Sequence, residues 1–198
     1  MSDLASSLTF VIGGARSGKS TYAIRLATDL GRPTLYVATA QAIDAEMRAR
    51  IRRHRARRPR SWRTLEEPLE FAQRIAAEAE EGSTVIVDCL TVWLANLLHV
   101  RLGEAPERSA AREQRARRAA LAEVALLCEL PEKKRFNLIV VSNEVGAGLV
   151  PPYPLGRVYR DLLGEVNQLV ANAATTVMLL VAGIPLVVKE SASKPDAP

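Results

Sequence analysis

Leu8-Thr9-Phe10-Val11-Ile12-Gly13-Gly14-Ala15-Arg16-Ser17-Gly18-Lys19-Ser20-Thr21-Tyr22-Ala23-Ile24-Arg25-Leu26-Ala27 joins an apolar run, a turn of small residues ending in Lys-Ser, and an amphipathic stretch. The apolar run reads as a buried strand and the last seven residues as a helix. The turn fits G-x-x-x-x-G-K-[ST], a loop that cradles phosphates. Small residues let backbone N–H groups converge on an anion, and the positive end of the following helix faces the same point. Lys19 adds a point charge for the outer phosphates, and the Ser20 hydroxyl can hold Mg²⁺. Strand, loop and helix in succession imply a nucleoside triphosphate site formed by Gly13, Gly14, Ala15, Arg16, Ser17, Gly18, Lys19 and Ser20.

Working outward, strands are expected over 34–39, 84–87, 137–141, 176–181 and 186–188, with a short extended piece at 62–64. Helices are expected from about 45 to Pro59, with Asp44 as N-cap, from 66 to 80, and over 90–98, 107–130 and 155–173. A loop is expected over 103–106. Strands alternating with helices predict an α/β fold of one domain over 8–189, a mainly parallel sheet with helices on both faces. Residues 1–7 and 190–198 are expected to be flexible termini.

The length of 198 residues, 48% of them hydrophobic and 25% charged, suits one soluble globular domain. No apolar run is long enough to span a bilayer, and residues 1–7 lack the cationic start of a secretory signal. Cys89 and Cys128 do not make a disulfide framework. These features predict a cytoplasmic protein. Net charge is +5, concentrated in Arg48, Arg50, Arg52, Arg53, Arg55, Arg57, Arg58, Arg60 and Arg63. That run can bind a nucleotide's phosphates, bind a nucleic-acid backbone, or form a solvated face. Trp62 alone stands among these cations and aromatic content is 5%, which argues against nucleic acid as a partner.

Ligands of such sheets sit at the carboxyl ends of the strands, where the Gly13 loop, Asp88 and Asn143-Glu144 arrive. Asp88 reads either as a carboxylate that helps hold Mg²⁺ or as the cap of the helix that follows. His54 falls on one face with Ile43, Met47 and Ile51. It is either a packing histidine bonded to a carbonyl, the reading that pattern alone favours, or a nucleophile toward phosphorus. Asn143-Glu144 and the Gly/Pro loop after it form either a substrate-facing rim or a structural turn.

Taken together, Gly13 to Ser20, Tyr36-Val37-Ala38-Thr39-Ala40-Gln41, Arg50-Ile51-Arg52-Arg53-His54 with Arg58-Pro59 and Trp62-Arg63-Thr64, Asp88-Cys89-Leu90-Thr91 with Asn96-Leu97-Leu98, Ser142-Asn143-Glu144-Val145-Gly146-Ala147-Gly148-Leu149-Val150-Pro151, and Arg160-Asp161 with Gly164 and Asn167-Gln168 resemble one family. It is the bifunctional adenosylcobinamide kinase / adenosylcobinamide-phosphate guanylyltransferase family of cobalamin biosynthesis, and the likeness runs from about residue 9 to 189. The resemblance implies a RecA-like phosphate-loop fold and two reactions. Adenosylcobinamide is phosphorylated with ATP or GTP, and its phosphate then receives GMP from GTP through a guanylyl-histidine. It assigns that histidine to His54, reversing the reading from pattern alone, and makes Lys19 its catalytic companion. It places nucleotide contacts at Thr39, Ala40, Gln41, Arg55, Ala56, Arg57 and Arg58. It gives Asp88 a guanine or metal contact, and a second acidic contact near Pro68, for which Glu70 is chosen over Glu66 and Glu67. Mg²⁺ would rest on Ser20 and Asp88. A homo-oligomer, with a trimer as the assembly considered, is also implied. Position 53 is arginine, so no second histidine shares the role, and segment 104–130 follows no family motif. The competing readings are a phosphate-loop kinase of other specificity and a basic nucleic-acid-binding NTPase.

Overall fold

The computed structural model describes residues 6–103 and 109–190. Along the chain run β1 (Leu8–Gly13), α1 (Lys19–Leu30), β2 (Thr34–Ala38), α2 (Ala45–Ala56), β3 (Arg63–Glu66), α3 (Phe71–Glu78), β4 (Thr84–Asp88), α4 (Leu90–Leu102), α5 (Ala110–Lys134), β5 (Asn137–Val141), α6 (Pro154–Ala173), β6 (Thr176–Val181) and β7 (Ile184–Glu190). The strands form one sheet in the order β3-β2-β4-β5-β1-β6-β7. The pairings among β1 to β6 are parallel and β7 returns antiparallel to β6. This is the expected α/β sheet with helices on both faces. The strand ending in the phosphate loop and the strand ending in Asp88 are separated by β5 alone.

The apolar runs are continuous because both faces of the sheet are covered. Val85 and Val87 point into a large core shared with α3, α4, α5 and α6, whereas Ile86 between them points into a smaller one with Val11, Tyr36 and Ile139. All three β4 residues have no exposed surface. On the smaller side α1 packs through Ala23 and Ala27, whose small side chains bring the helix close to the strands.

The differences from expectation have local causes. The extended piece at 62–64 continues to Glu66 because it pairs with β2 from Leu35 to Ala38. α3 therefore starts later, at Phe71, after a turn in which the Glu67 carboxylate accepts from the N–H groups of Leu69 and Glu70. α5 runs beyond Leu130 to Lys134 with Pro131 inside, and Arg135 in the left-handed conformation ends it. The last strand covers 184–190 rather than 186–188. Asp44 caps α2 as expected, its carboxylate accepting from Met47 N–H at 2.6 Å. α2 nevertheless buries none of its residues: Met47, Ile51 and His54 are half-buried and Ile43, expected on the same inward face, is 74% exposed. Most of the expected 103–106 loop, with residues 1–5 and 191–198 of the expected termini, lies outside the described residues. Ser7 is tied to β5, its carbonyl accepting from Leu138 N–H and its hydroxyl donating to the Asn137 side chain. Among the described residues no helix is long and apolar enough to cross a membrane.

Candidate nucleotide site

The loop between β1 and α1 is held from three sides. Gly13 carbonyl accepts from Glu144 N–H at 3.0 Å, Ser17 carbonyl accepts from Gly183 N–H at 2.9 Å, and Ser17 N–H donates to Gly14 carbonyl at 3.3 Å. Gly18 takes a left-handed conformation, φ 95°, at the N-cap of α1. Lys19 is buried and folds back over the loop, its Nζ donating to Gly14 carbonyl at 2.5 Å and to Ser17 Oγ at 3.3 Å. Burial lowers its pKa below the ordinary lysine value, although the fields of Cys89 and Asp88 oppose that shift. Gly14, Ala15 and Arg16 are exposed at the mouth of the loop.

At Gly13 the space itself demands glycine. A Cβ there would stand 2.4 Å from the Leu180 carbonyl oxygen, a backbone atom that cannot swing away. At Gly14 a Cβ meets nothing within 4 Å. Gly13→Ala is therefore expected to cost on the order of 2–4 kcal/mol in denaturant unfolding, whereas Gly14→Ala stays within about 0.5 kcal/mol of the parent. Equal costs at the two positions would contradict this account of the loop.

Parallel pairing sets one row of residues along the carboxyl edge of the sheet. Glu66 stands opposite Ala38, Ala38 opposite Asp88, Asp88 opposite Val141, and Val141 opposite Val11. Asp88 is the polar centre of this row. Its side chain is 8% exposed, its Oδ2 accepts from the Tyr36 hydroxyl, and His54 Nδ1 lies 3.8 Å from the same oxygen. The Ser20 hydroxyl lies beside the same carboxylate. Burial alone would raise the Asp88 pKa, but the nearby His54 imidazole and the hydroxyls of Tyr36 and Ser20 outweigh it and hold the carboxyl below its ordinary value. The N-cap position of α4 falls to Cys89, so Asp88 is not the cap of that helix.

The other candidates divide. The Arg58 guanidinium lies over the Tyr36 ring, 3.4 Å from its centroid, and its buried Nε has no hydrogen-bond partner. Arg55, Ala56 and Arg57 are exposed, with Arg55 3.9 Å from Glu66. Thr39 has no exposed surface. Its hydroxyl donates to Cys89 carbonyl and accepts from Cys89 N–H, both at 2.9 Å, and its carbonyl accepts from Asn96 Nδ2. Ala40 and Gln41 are the accessible part of that turn. Glu70 stands apart from the row. With Leu69, Leu97, Val100, Arg101, Ala119 and Glu123 it lines a separate cavity of about 360 Å³ among α3, α4 and α5. Asn143 is held through its backbone, by Thr91 Oγ1 and Asn167 Nδ2. Glu144 is exposed, and its carboxylate accepts from Gly146 N–H.

One residue of this edge escaped the sequence. Tyr36 reads there as one more apolar strand residue, although its place two residues before the strand's end puts its hydroxyl beside the row. Glu66, weighed from the sequence beside Glu67 against Glu70, stands on this edge because β3 runs to 66.

Hard oxygen donors suit Mg²⁺, and the Ser20 hydroxyl and Asp88 carboxylate meet beside the phosphate loop, so these residues fit that ion.

The family model for cobinamide kinase / cobinamide phosphate guanyltransferase matches residues 9–188. The bifunctional adenosylcobalamin biosynthesis protein CobP of Pseudomonas aeruginosa is 48% identical over 179 residues, covering 90% of this chain and 95% of that protein. The bifunctional adenosylcobalamin biosynthesis proteins CobU of Salmonella typhimurium and Escherichia coli are 40% identical over 185 residues and 38% over 182. Each comparison covers 92% of this chain and 99% of the relative.

Proposed function

The chain belongs to the cobinamide kinase / cobinamide phosphate guanyltransferase family, and we propose that one nucleotide cradle serves both of its reactions. The protein is an adenosylcobinamide kinase and adenosylcobinamide-phosphate guanylyltransferase of cobalamin biosynthesis. The observation that carries the one-cradle reading is the shared carboxylate of Asp88. It lies beside Ser20 of the phosphate loop and 3.8 Å from His54 Nδ1 of α2, which supports His54 as the nucleophile toward a triphosphate held in that loop.

In the kinase reaction the aminopropanol hydroxyl attacks the γ-phosphorus of ATP or GTP. The new O–P bond forms as the bond to the β-phosphate oxygen breaks, the nucleoside diphosphate leaves and the hydroxyl proton passes to solvent. Lys19 and the loop N–H groups bear the charge that collects on the phosphate oxygens. In the guanylyl transfer, a ring nitrogen of His54 attacks the α-phosphorus of GTP. An N–P bond forms, the α–β bridging bond breaks, pyrophosphate leaves and the imidazolium gives up its proton. A phosphate oxygen of adenosylcobinamide phosphate then attacks the same phosphorus, the imidazole takes back a proton as the N–P bond breaks, and adenosylcobinamide-GDP is formed. His54 Nδ1 faces Asp88, which leaves Nε2 for phosphorus. Ser20 and Asp88 would hold Mg²⁺, which when bound neutralises charge on the phosphates. Arg55, Arg57 and Arg58 would do the same from the end of α2.

Incubation with GTP labelled at the α-phosphate tests the reading. An acid-labile, base-stable label on the protein is expected, released by adenosylcobinamide phosphate; a protein that never takes the label sinks it.

For the acidic contact to guanine, Glu66 is the better candidate, because it lies on the Asp88 row while Glu70 faces the separate cavity. Glu66→Ala is expected to reduce the preference for GTP over ITP, which lacks the 2-amino group a carboxylate would accept from, by about tenfold in kcat/KM. Glu70→Ala should leave that ratio unchanged, and the reverse pattern would restore Glu70.

A further inference from the structure

Tyr36 sits in the middle of β2 and is 1% exposed, among the largest fully buried side chains of the protein. It belongs to the smaller core with Val11, Ile86 and Ile139, and Ile86 on β4 is its strand partner. A phenylalanine would fill that space equally well, so the hydroxyl needs a separate reason. A buried hydroxyl must find a partner, and this one donates to Asp88 Oδ2. The reach follows from the strand period. Tyr36 pairs with Ile86, and Asp88 is the next β4 residue on the same face.

The ring has a second contact. Arg58, just beyond the end of α2, lays its guanidinium 3.4 Å from the ring centroid. Its buried Nε makes no hydrogen bond, so the aromatic face is a principal support for that end of the side chain. The same segment carries His54, whose imidazole meets Asp88. One tyrosine thus touches the carboxylate through its hydroxyl and the arginine through its face.

We propose that Tyr36 is a positioning residue for both reactions, its hydroxyl fixing the Asp88 carboxylate for the metal-bound nucleotide and its ring seating Arg58 for the phosphates. The proposal rests on the reading of Asp88 as a residue of the nucleotide site. Its two halves are separable: Tyr36→Phe removes the hydroxyl and keeps the ring, whereas Tyr36→Leu removes both.

The test uses the whole protein and measures GDP binding by calorimetry, in EDTA and in Mg²⁺, with kcat and the thermal midpoint beside it. In Tyr36→Phe, GDP affinity in EDTA should stay within about twofold of the parent. The gain in affinity on adding Mg²⁺ should fall about fivefold, and kcat should fall about tenfold in both reactions, the range seen when a group that orients a metal-binding carboxylate is lost. Tyr36→Leu should in addition weaken GDP binding in EDTA about fivefold. Arg58→Ala should reproduce that weakening in a chain whose core is untouched, which keeps the ring's part testable if the leucine variant fails to fold. A Tyr36→Phe protein with parental Mg²⁺ gain and parental kcat overturns the hydroxyl's role. Arg58→Ala with parental binding in EDTA overturns the ring's. A parent protein that never takes label from GTP would instead count against the guanylyl reading, and the binding comparison stands apart from it.

Discussion

His54→Ala is expected to lose the GTP-derived label and at least about a thousandfold of guanylyl transfer, while phosphorylation of adenosylcobinamide by ATP stays within about threefold of the parent. The size follows from the route: without a nitrogen to carry GMP, the two-step transfer has no first step. The selectivity follows from the position. Among the described residues His54 meets the site at Asp88, at 3.8 Å, and Asp88 keeps the Tyr36 hydroxyl when the imidazole is gone. The fold should not notice, because the His54 side chain is 29% exposed on a helix that buries none of its residues. Stability is expected to change by less than about 0.5 kcal/mol. The checks are α-label retention, ATP-dependent formation of adenosylcobinamide phosphate, and the thermal midpoint. Label persisting in the variant would place the nucleophile elsewhere. Kinase activity falling in step with guanylyl transfer would mean that His54 serves the phosphoryl step as well.

The sheet was legible because its strands are apolar on both faces. A run such as Thr84-Val85-Ile86-Val87 has no good alternative to a central parallel strand, and its neighbours follow the same rule. The phosphate loop was legible because backbone convergence and close approach restrict residue type at each step, as the 2.4 Å clearance at Gly13 shows. Legibility fails where a side chain's role depends on which strands lie side by side. Tyr36 and Asp88 are 52 residues apart and meet only through the β2–β4 pairing. Glu66 and Glu70 are both acidic and near Pro68, yet strand pairing sends one to the carboxyl edge while the turn sends the other to the helical side. His54 is the intermediate case: its spacing placed it on the half-buried face of α2, but spacing could not say that the face looks toward Asp88. Thr39 is a polar residue at the same edge whose hydroxyl is engaged by the backbone of Cys89, a pairing that spacing does not reveal.

Lys19→Met is expected to remove both reactions together, by two to four orders of magnitude each, and this contrast with His54→Ala decides between one cradle and two. In the free protein the ammonium is dry and leans on Gly14 carbonyl and Ser17 Oγ, with burial holding its pKa down. Those partners are neutral oxygens, which a triphosphate can replace with charged ones. Methionine fills much the same volume without the buried charge, so the unliganded variant should unfold at the parental midpoint or slightly above it. What it should lose is the upward shift that GTP with Mg²⁺ gives the parent, because stabilisation by a ligand scales with how tightly the native state binds it. Activity alone would leave open a damaged fold; the parental midpoint with no nucleotide shift closes that gap. If Lys19→Met keeps either reaction within about tenfold of the parent while losing the other, the two nucleotides do not share this loop. If it loses both, the phosphorus that reacts is chosen by what approaches the bound triphosphate: a substrate hydroxyl at the γ end, or His54 at the α end.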